Sequence, residues 1–183
     1  MKRFTLSLAA TAMLAAAPSM ADTIRVGGQA MFPSKTIVGN AVNSADHTTL
    51  VAAVKAAGLV DTLNGNGPFT VFAPVNAAFA ALPAGTVDTL LKPENKAQLT
   101  KVLTYHVVAG DYNTTRLRSM ILAGNGTATL KTVEGDTLSF MMNGSSNIVV
   151  QDTKGDVADI TIADVTQSNG VIQVIDKVLL PAT

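Results

Sequence analysis

Gly67-Pro68-Phe69-Thr70-Val71-Phe72-Ala73-Pro74-Val75-Asn76-Ala77-Ala78-Phe79 is the stretch on which the reading of the fold turns. Gly67-Pro68 ends a turn cluster that starts at Asn64, since glycine and proline punctuate regular structure. Phe69 to Phe72 follows as a short run of aromatic and β-branched residues, the composition of a buried strand. Pro74 has no N–H to give to a ladder and stops it. Asn76 then stands where an asparagine can cap a short helix running through Phe79 and Leu82.

Upstream, Asp46 reads as the N-cap of a helix opening at His47-Thr48-Thr49, with Leu50, Val51, Val54 and Ala57 at helical spacing. Gly58 ends that helix before Leu59–Leu63 makes another turn. Residues from Asp22 to Asn40, with Gly27-Gly28 and Pro33, read as an irregular arm. Downstream, Thr86–Leu91 is short helix. Pro93 and Glu94 suit the first turn of a longer helix carrying Leu99, Val102 and Leu103. Val107-Val108 leaves as a strand, and Thr115–Leu122 is helical. From Thr127 the apolar period becomes two. Thr127–Val133 and Thr137–Phe140 flank Glu134-Gly135-Asp136 as a hairpin. Ile148–Val150, Asp159–Val165 and Val171–Leu180 supply the remaining strands. A helix-rich first half and a strand-rich second half give an α+β fold rather than alternating βαβ units.

The beginning of the chain belongs to export. Lys2 and Arg3 precede an apolar run from Phe4 to Ala17, and Pro18 and Ser19-Met20-Ala21 complete a signal peptide over residues 1–21, cleaved before Asp22. The apolar run falls short of the roughly 20 residues of a membrane span, and no downstream stretch replaces it. A periplasmic or extracellular location follows. The 183-residue chain contains no cysteine, which excludes thiol chemistry, a lipid-bearing Cys and Cys-based metal sites. Lys and Arg together equal Asp and Glu at 13 each, and no basic run exists, so nucleic acid is excluded as a partner.

Two further segments join the first. One is Leu103-Thr104-Tyr105-His106-Val107-Val108-Ala109-Gly110. The other is Asn169-Gly170-Val171-Ile172-Gln173-Val174-Ile175-Asp176-Lys177-Val178-Leu179-Leu180-Pro181. Together the three resemble the two signature boxes and the central Tyr-His motif of the fasciclin-like domain family, in its small, secreted, single-domain bacterial form. The resemblance covers about residues 34–181. It divides the chain into a leader (1–21), an arm (22–33) and a domain (34–183). It implies a β-sandwich or wedge with helices packed on one side, and adhesion-type binding. Relatives implicate the Tyr-His region and an Asp-Ile pair before the second box in partner contact; the positions here are Tyr105, His106, Asp164 and Val165. Where the family commonly has a histidine in the second box, this chain has Gln173, which argues against a shared histidine-based site.

The residues themselves offer little catalytic chemistry. The chain has two histidines, His47 and His106. His47 reads as a surface residue near a helix start and His106 as half-buried. No Gly-x-Ser-x-Gly elbow accompanies them, and no His pair has zinc-ligand spacing. Asp152, Asp156 and Asp159 around Gly155 do not match a calcium loop and read as a solvated acidic turn. No catalytic residue, metal or cofactor is expected. The function expected is a secreted or periplasmic adhesion-type module that binds a protein or polysaccharide of a cell surface, matrix or envelope. The alternative is a carrier of a small hydrophobic ligand, a lipid or pigment, in an apolar cleft.

Overall fold

The computed structural model describes residues 23–182; the leader read in residues 1–21 lies outside them. The strand predicted from Phe69 is β3 (Phe69–Pro74), and the second signature box supplies β9 (Gly170–Ile175). The two lie side by side in parallel, from Phe69 opposite Gly170 to Pro74 opposite Ile175. They sit within a seven-stranded sheet of order β4-β3-β9-β8-β7-β6-β5. The other strands are β4 (Val107–Ala109), β5 (Thr127–Lys131), β6 (Thr137–Asn143), β7 (Asn147–Gln151) and β8 (Val157–Gln167). Every other neighbouring pair is antiparallel.

The sheet does not stay flat. Strand β8 pairs with β7 through Val157–Asp159 and with β9 from Ile160 onward, and its register against β9 shifts twice. Such bulges bend a sheet. Past β5, the Val133 N–H donates to the Val107 carbonyl of β4 at 2.7 Å, so the two ends of the sheet meet. The result is a wedge.

Both faces of β3 are buried, as in strands covered on two sides. Val71 and Ala73 face one core with Ile172, Val174 and Val165, while Phe72 faces a second core with Phe140, Leu138, Val150 and Ile175. The Phe72 and Phe140 rings lie 5.2 Å apart in a tilted pair. The first core is covered by helices α1 (Ile37–Ala41), α2 (Thr48–Ala57), α3 (Val60–Leu63) and α6 (Lys96–Tyr105). Short helices α4 (Asn76–Ala80) and α5 (Thr86–Leu90) connect β3 to α6. Helix α7 (Thr114–Ala123) sends Leu117 and Ile121 into the second core. The fold is therefore α+β, as the change of period indicates.

Several local expectations are met for the reasons given. Gly58 takes a left-handed φ of 75° and ends α2, and the helical segment read over Thr115–Leu122 is α7. Others differ. The arm is not irregular: β1 (Arg25–Val26) and β2 (Gln29–Ala30) form a hairpin, Val26 and Met31 are buried, and α1 follows Thr36 as its N-cap. Asp46 does not cap α2, because residues 45–47 form a 3-10 turn. The cap comes from the signature box instead. Asn76 Oδ1 accepts the Thr49 N–H at 3.0 Å and the Thr48 hydroxyl at 3.2 Å, while its amide donates to the Ala45 carbonyl at 2.8 Å. Asn76 thus caps a helix across the structure rather than its own. Strand β9 stops at Ile175, short of Leu180, because side chains and not a neighbouring strand take the N–H groups of Leu179 and Leu180.

Replacing Asn76 with Ala removes a helix cap and a tertiary tie at once. The expected cost is about 1–2 kcal/mol, read as a lower denaturant midpoint at unchanged slope.

Candidate functional site

Tyr105 and His106 end α6, where its apolar stripe carries them into the interior. Tyr105 is fully buried, and its hydroxyl donates to the Thr137 carbonyl at 2.9 Å and accepts the Thr153 N–H at 3.1 Å. Burial pushes its phenol pKa up, partly offset by the bonds to Thr153. His106 is 2% exposed rather than half-buried. Its Nδ1 lies 2.8 Å from the Val102 carbonyl, and its Nε2 lies 3.0 Å from the Leu179 nitrogen. A carbonyl only accepts and an N–H only donates, so Nδ1 carries the proton and Nε2 is bare. Burial pulls the His106 pKa down to about 4, against smaller opposing contributions from Val102 and the Asp152 charge. These two side chains hold backbone inside the fold and are not on its surface.

His47 is likewise 3% exposed, not a surface residue. Nδ1 is 2.9 Å from the Ser44 hydroxyl and Nε2 is 3.4 Å from the Ala73 carbonyl, which joins the start of α2 to β3. Burial lowers its pKa, with the Ala73 carbonyl and Asp46 opposing. The acidic turn is also not solvated at Asp152. That carboxylate is buried and accepts the N–H groups of Lys154 and Asp156 with one oxygen and of Leu180 with the other, each at 2.9 Å. His106, Asp152 and Asp136 thereby take the N–H groups of Leu179, Leu180 and Ala182 in turn. The segment after β9 is strapped down by side chains.

Asp164 and Val165 lie elsewhere, at the bulge of β8. Val165 is fully buried in the first core. Asp164 is half-buried with a left-handed φ of 57°, a conformation that aspartate tolerates better than most residues. It exchanges two bonds with Gln173: the Asp164 N–H donates to Gln173 Oε1 at 2.9 Å, and Gln173 Nε2 donates to Asp164 Oδ1 at 2.8 Å. Gln173 also donates to the Tyr112 carbonyl at 3.2 Å, and the carboxylate of Asp164 receives the Thr114 N–H and hydroxyl. The position where a histidine was expected thus holds an amide that offers an acceptor and two donors together, as a single imidazole does not. Tyr105 and His106 therefore sit together at the end of α6, and Asp164 and Val165 form a separate locus beside α7.

Sequence reasoning did not locate the concavity that the fold makes. Helices α1, α2 and α3 stand off the β3–β4 end of the sheet and leave a cavity of about 160 Å³. Ile37, Leu50, Val54, Leu63, Leu103 and Val107 are among the residues that line it, with Phe72 and His106 also on its wall and Lys55 as its one charged residue. Val42, on the α1 side, is 47% exposed. The signal was present in the sequence: Ile37-Val38 and Ala41-Val42 repeat at helical spacing after a threonine cap. Reading residues 22–40 as irregular hid that wall. Among the described residues, no group of three or more His, Asp or Glu side chains is placed to hold a metal ion, and no helix is long and apolar enough to cross a membrane.

The profile of the fasciclin domain matches residues 45–181. The chain belongs to the fasciclin domain family. Protein sll1483 of Synechocystis is 49% identical over 146 residues, which cover 80% of this chain and 73% of that one. Immunogenic protein MPB70 of Mycobacterium bovis is 38% identical over 146 residues, covering 77% of this chain and 66% of its own length. Among solved structures, a domain pair from the insect cell adhesion molecule Fasciclin I superposes with a TM-score of 0.71 at 20% identity. That match covers 80% of this chain and 51% of the other, and it establishes the fold. The first signature box of this fasciclin domain is thus β3 with the start of α4, the second is β9 with the strapped segment to Pro181, and the Tyr-His motif is the buried end of α6.

The neutral state of His106 makes stability depend on pH. The unfolded imidazole takes a proton near 6.5 and the folded one only near 4, so between these values the unfolded chain binds more protons and acid favours unfolding. The His106 contribution is fully present above pH 6.5 and is lost as the pH falls to about 4, amounting to about 3 kcal/mol. His106→Phe leaves the Val102 carbonyl and Leu179 N–H without partners, at a cost of about 2–4 kcal/mol at pH 7. Denaturant titrations from pH 7 to pH 4 should show a steep loss for the parent and a shallower one for the variant.

Proposed function

We propose that this fasciclin domain is an exported, adhesion-type binding module that recognises a protein or polysaccharide of a cell surface, matrix or envelope and turns nothing over. The observation that carries this reading is how the chemistry-bearing side chains are used. His47, His106, Tyr105, Asp152, Asp164 and Gln173 each spend their polar atoms on backbone groups, neighbouring hydroxyls or one another. A group so occupied is unavailable as a base, nucleophile or ligand donor. Recognition then falls to the surface of a rigid scaffold, in keeping with a domain that also occurs in an insect cell adhesion molecule. Export is supported by the leader read in residues 1–21. Asp164, half-buried at the β8 bulge, stays a candidate contact, whereas Tyr105, His106 and Val165 act by shaping what lies above them.

The apolar cleft favours a second reading, the carriage of a small hydrophobic ligand. Its walls are preformed and nearly free of polar groups, the usual character of a small-molecule pocket.

The module reading is tested with the purified chain from Asp22 onward on envelope fractions of the producing organism and on matrix proteins and polysaccharides. Saturable retention is expected. Tyr105→Phe should retain that binding per folded molecule while losing about 1–2 kcal/mol of stability, since it leaves the partly buried Thr153 N–H and Thr137 carbonyl without the hydroxyl. Absence of retention on every surface contradicts the proposal.

A further inference from the structure

The cleft between α1, α2, α3 and the sheet has a definite chemistry, and the inference drawn from it rests on the carrier reading. Its walls are aliphatic apart from Phe72, His106 and the stem of Lys55. His106 has no bond to offer a guest, because Nδ1–H is held by the Val102 carbonyl and Nε2 by the Leu179 N–H. A polar group placed inside would lose its water without gaining a partner, which is costly. The buried part of any guest is therefore hydrocarbon.

Its size is limited. The volume is about 160 Å³, close to the roughly 150 Å³ apolar cavity known to take up a benzene ring. That is room for about six carbons, so an eight-carbon chain buries most of its length with its head outside, whereas the chain of a bilayer lipid is far too long. The lining is mostly aliphatic, with Phe72 and His106 the two rings on its wall, and a flexible straight chain can fill it.

The one charged residue that lines the cleft is a cation. Lys55 is exposed in the last turn of α2 and enters no ion pair among the described residues, where the one salt bridge joins Lys101 to Glu134. Lys96 brings a second ammonium to the same end of α2; its Nζ lies 3.4 Å from the position a Cβ on Gly58 would take. An apolar pocket with an exposed lysine in its lining complements an amphiphile with a short chain and an anionic head. We propose that this cleft binds short straight-chain aliphatic monocarboxylates, with the chain against Leu50, Val54 and Leu103 and the carboxylate at the Lys55 ammonium.

The test is calorimetric titration of the mature chain with octanoate and, in parallel, with octan-1-ol, which shares the chain and lacks the charge. Octanoate should bind one to one and more tightly than octanol by roughly two- to fivefold, the range of an exposed ion pair. That advantage should disappear in Lys55→Gln and in high salt. Val38→Trp, at the half-buried wall, should abolish binding of both compounds, with thermal unfolding confirming that the variant is folded. Lys55→Gln, a surface change, provides the test should Val38→Trp not fold. Octanol binding as tightly as octanoate, or a Lys55→Gln variant that keeps the preference, overturns the proposal and leaves an apolar carrier. Failure of both compounds to bind overturns the proposal and the carrier reading together.

Discussion

The parallel pairing of β3 with β9 is the constraint on which the rest of the structure depends. Two segments separated by about half the chain must lie close enough for Phe69 to face Gly170 and Pro74 to face Ile175. The approach is tightest where the pair begins. A Cβ on Gly170 would stand 1.9 Å from the Phe69 carbonyl oxygen, and one on Gly67 would stand 2.1 Å from the Asn169 oxygen. Only glycine fits at either place. Asn169 fastens the same corner to the helices, accepting the Ile37 N–H at 3.0 Å and donating to the carbonyls of Leu63 at 2.8 Å and Gly65 at 3.0 Å. From this corner both cores follow, since alternate residues of the two strands fill them.

Around that pair, polar side chains act as long-range clasps. Asn76 holds the start of α2, His106 and Asp152 hold the tail after β9, and Gln173 locks the bulge at Asp164. Each satisfies backbone groups that would otherwise be buried without partners, at considerable cost. A chain without disulfides thereby fixes its irregular segments, and it does so with the residues from which catalysis would ordinarily be built. The same arrangement leaves a helix-lined apolar cleft of about 160 Å³ beside the sheet.

How much of this was legible depends on where the partner of each residue lies. The stop at Gly58, the hairpin around Gly135 and the strand from Phe69 are local matters of backbone freedom and periodicity, and the sequence states them directly. Asn76, His47 and Asp152 were misread because each has a deciding partner that is remote, Thr49, Ala73 and Leu180 respectively: an asparagine before a helix reads as its own cap, and a histidine near a helix start reads as exposed. Only the tertiary fold brings Asn76, just beyond β3, to Thr49 and His47 to Ala73 near the end of that strand. The end of β9 was overrun because Val178 and Leu179 continue the apolar run, whereas the backbone there is claimed by side chains. Family resemblance conveyed the wedge, which periodicity alone did not, and it drew attention to Tyr105 and His106 without showing that they are interior.

The central claim is that the two signature boxes serve as architecture, joined at a contact that admits no side chain beyond hydrogen. The most direct measurement is the equilibrium unfolding of Gly170→Ala beside Gly85→Ala, where a left-handed φ of 80° meets open space. Gly85→Ala should cost about 1–2 kcal/mol from its backbone conformation. Gly170→Ala should cost more than about 3 kcal/mol or prevent folding, because the added methyl meets backbone and not a movable side chain. Equal, small losses in the two variants would contradict the account.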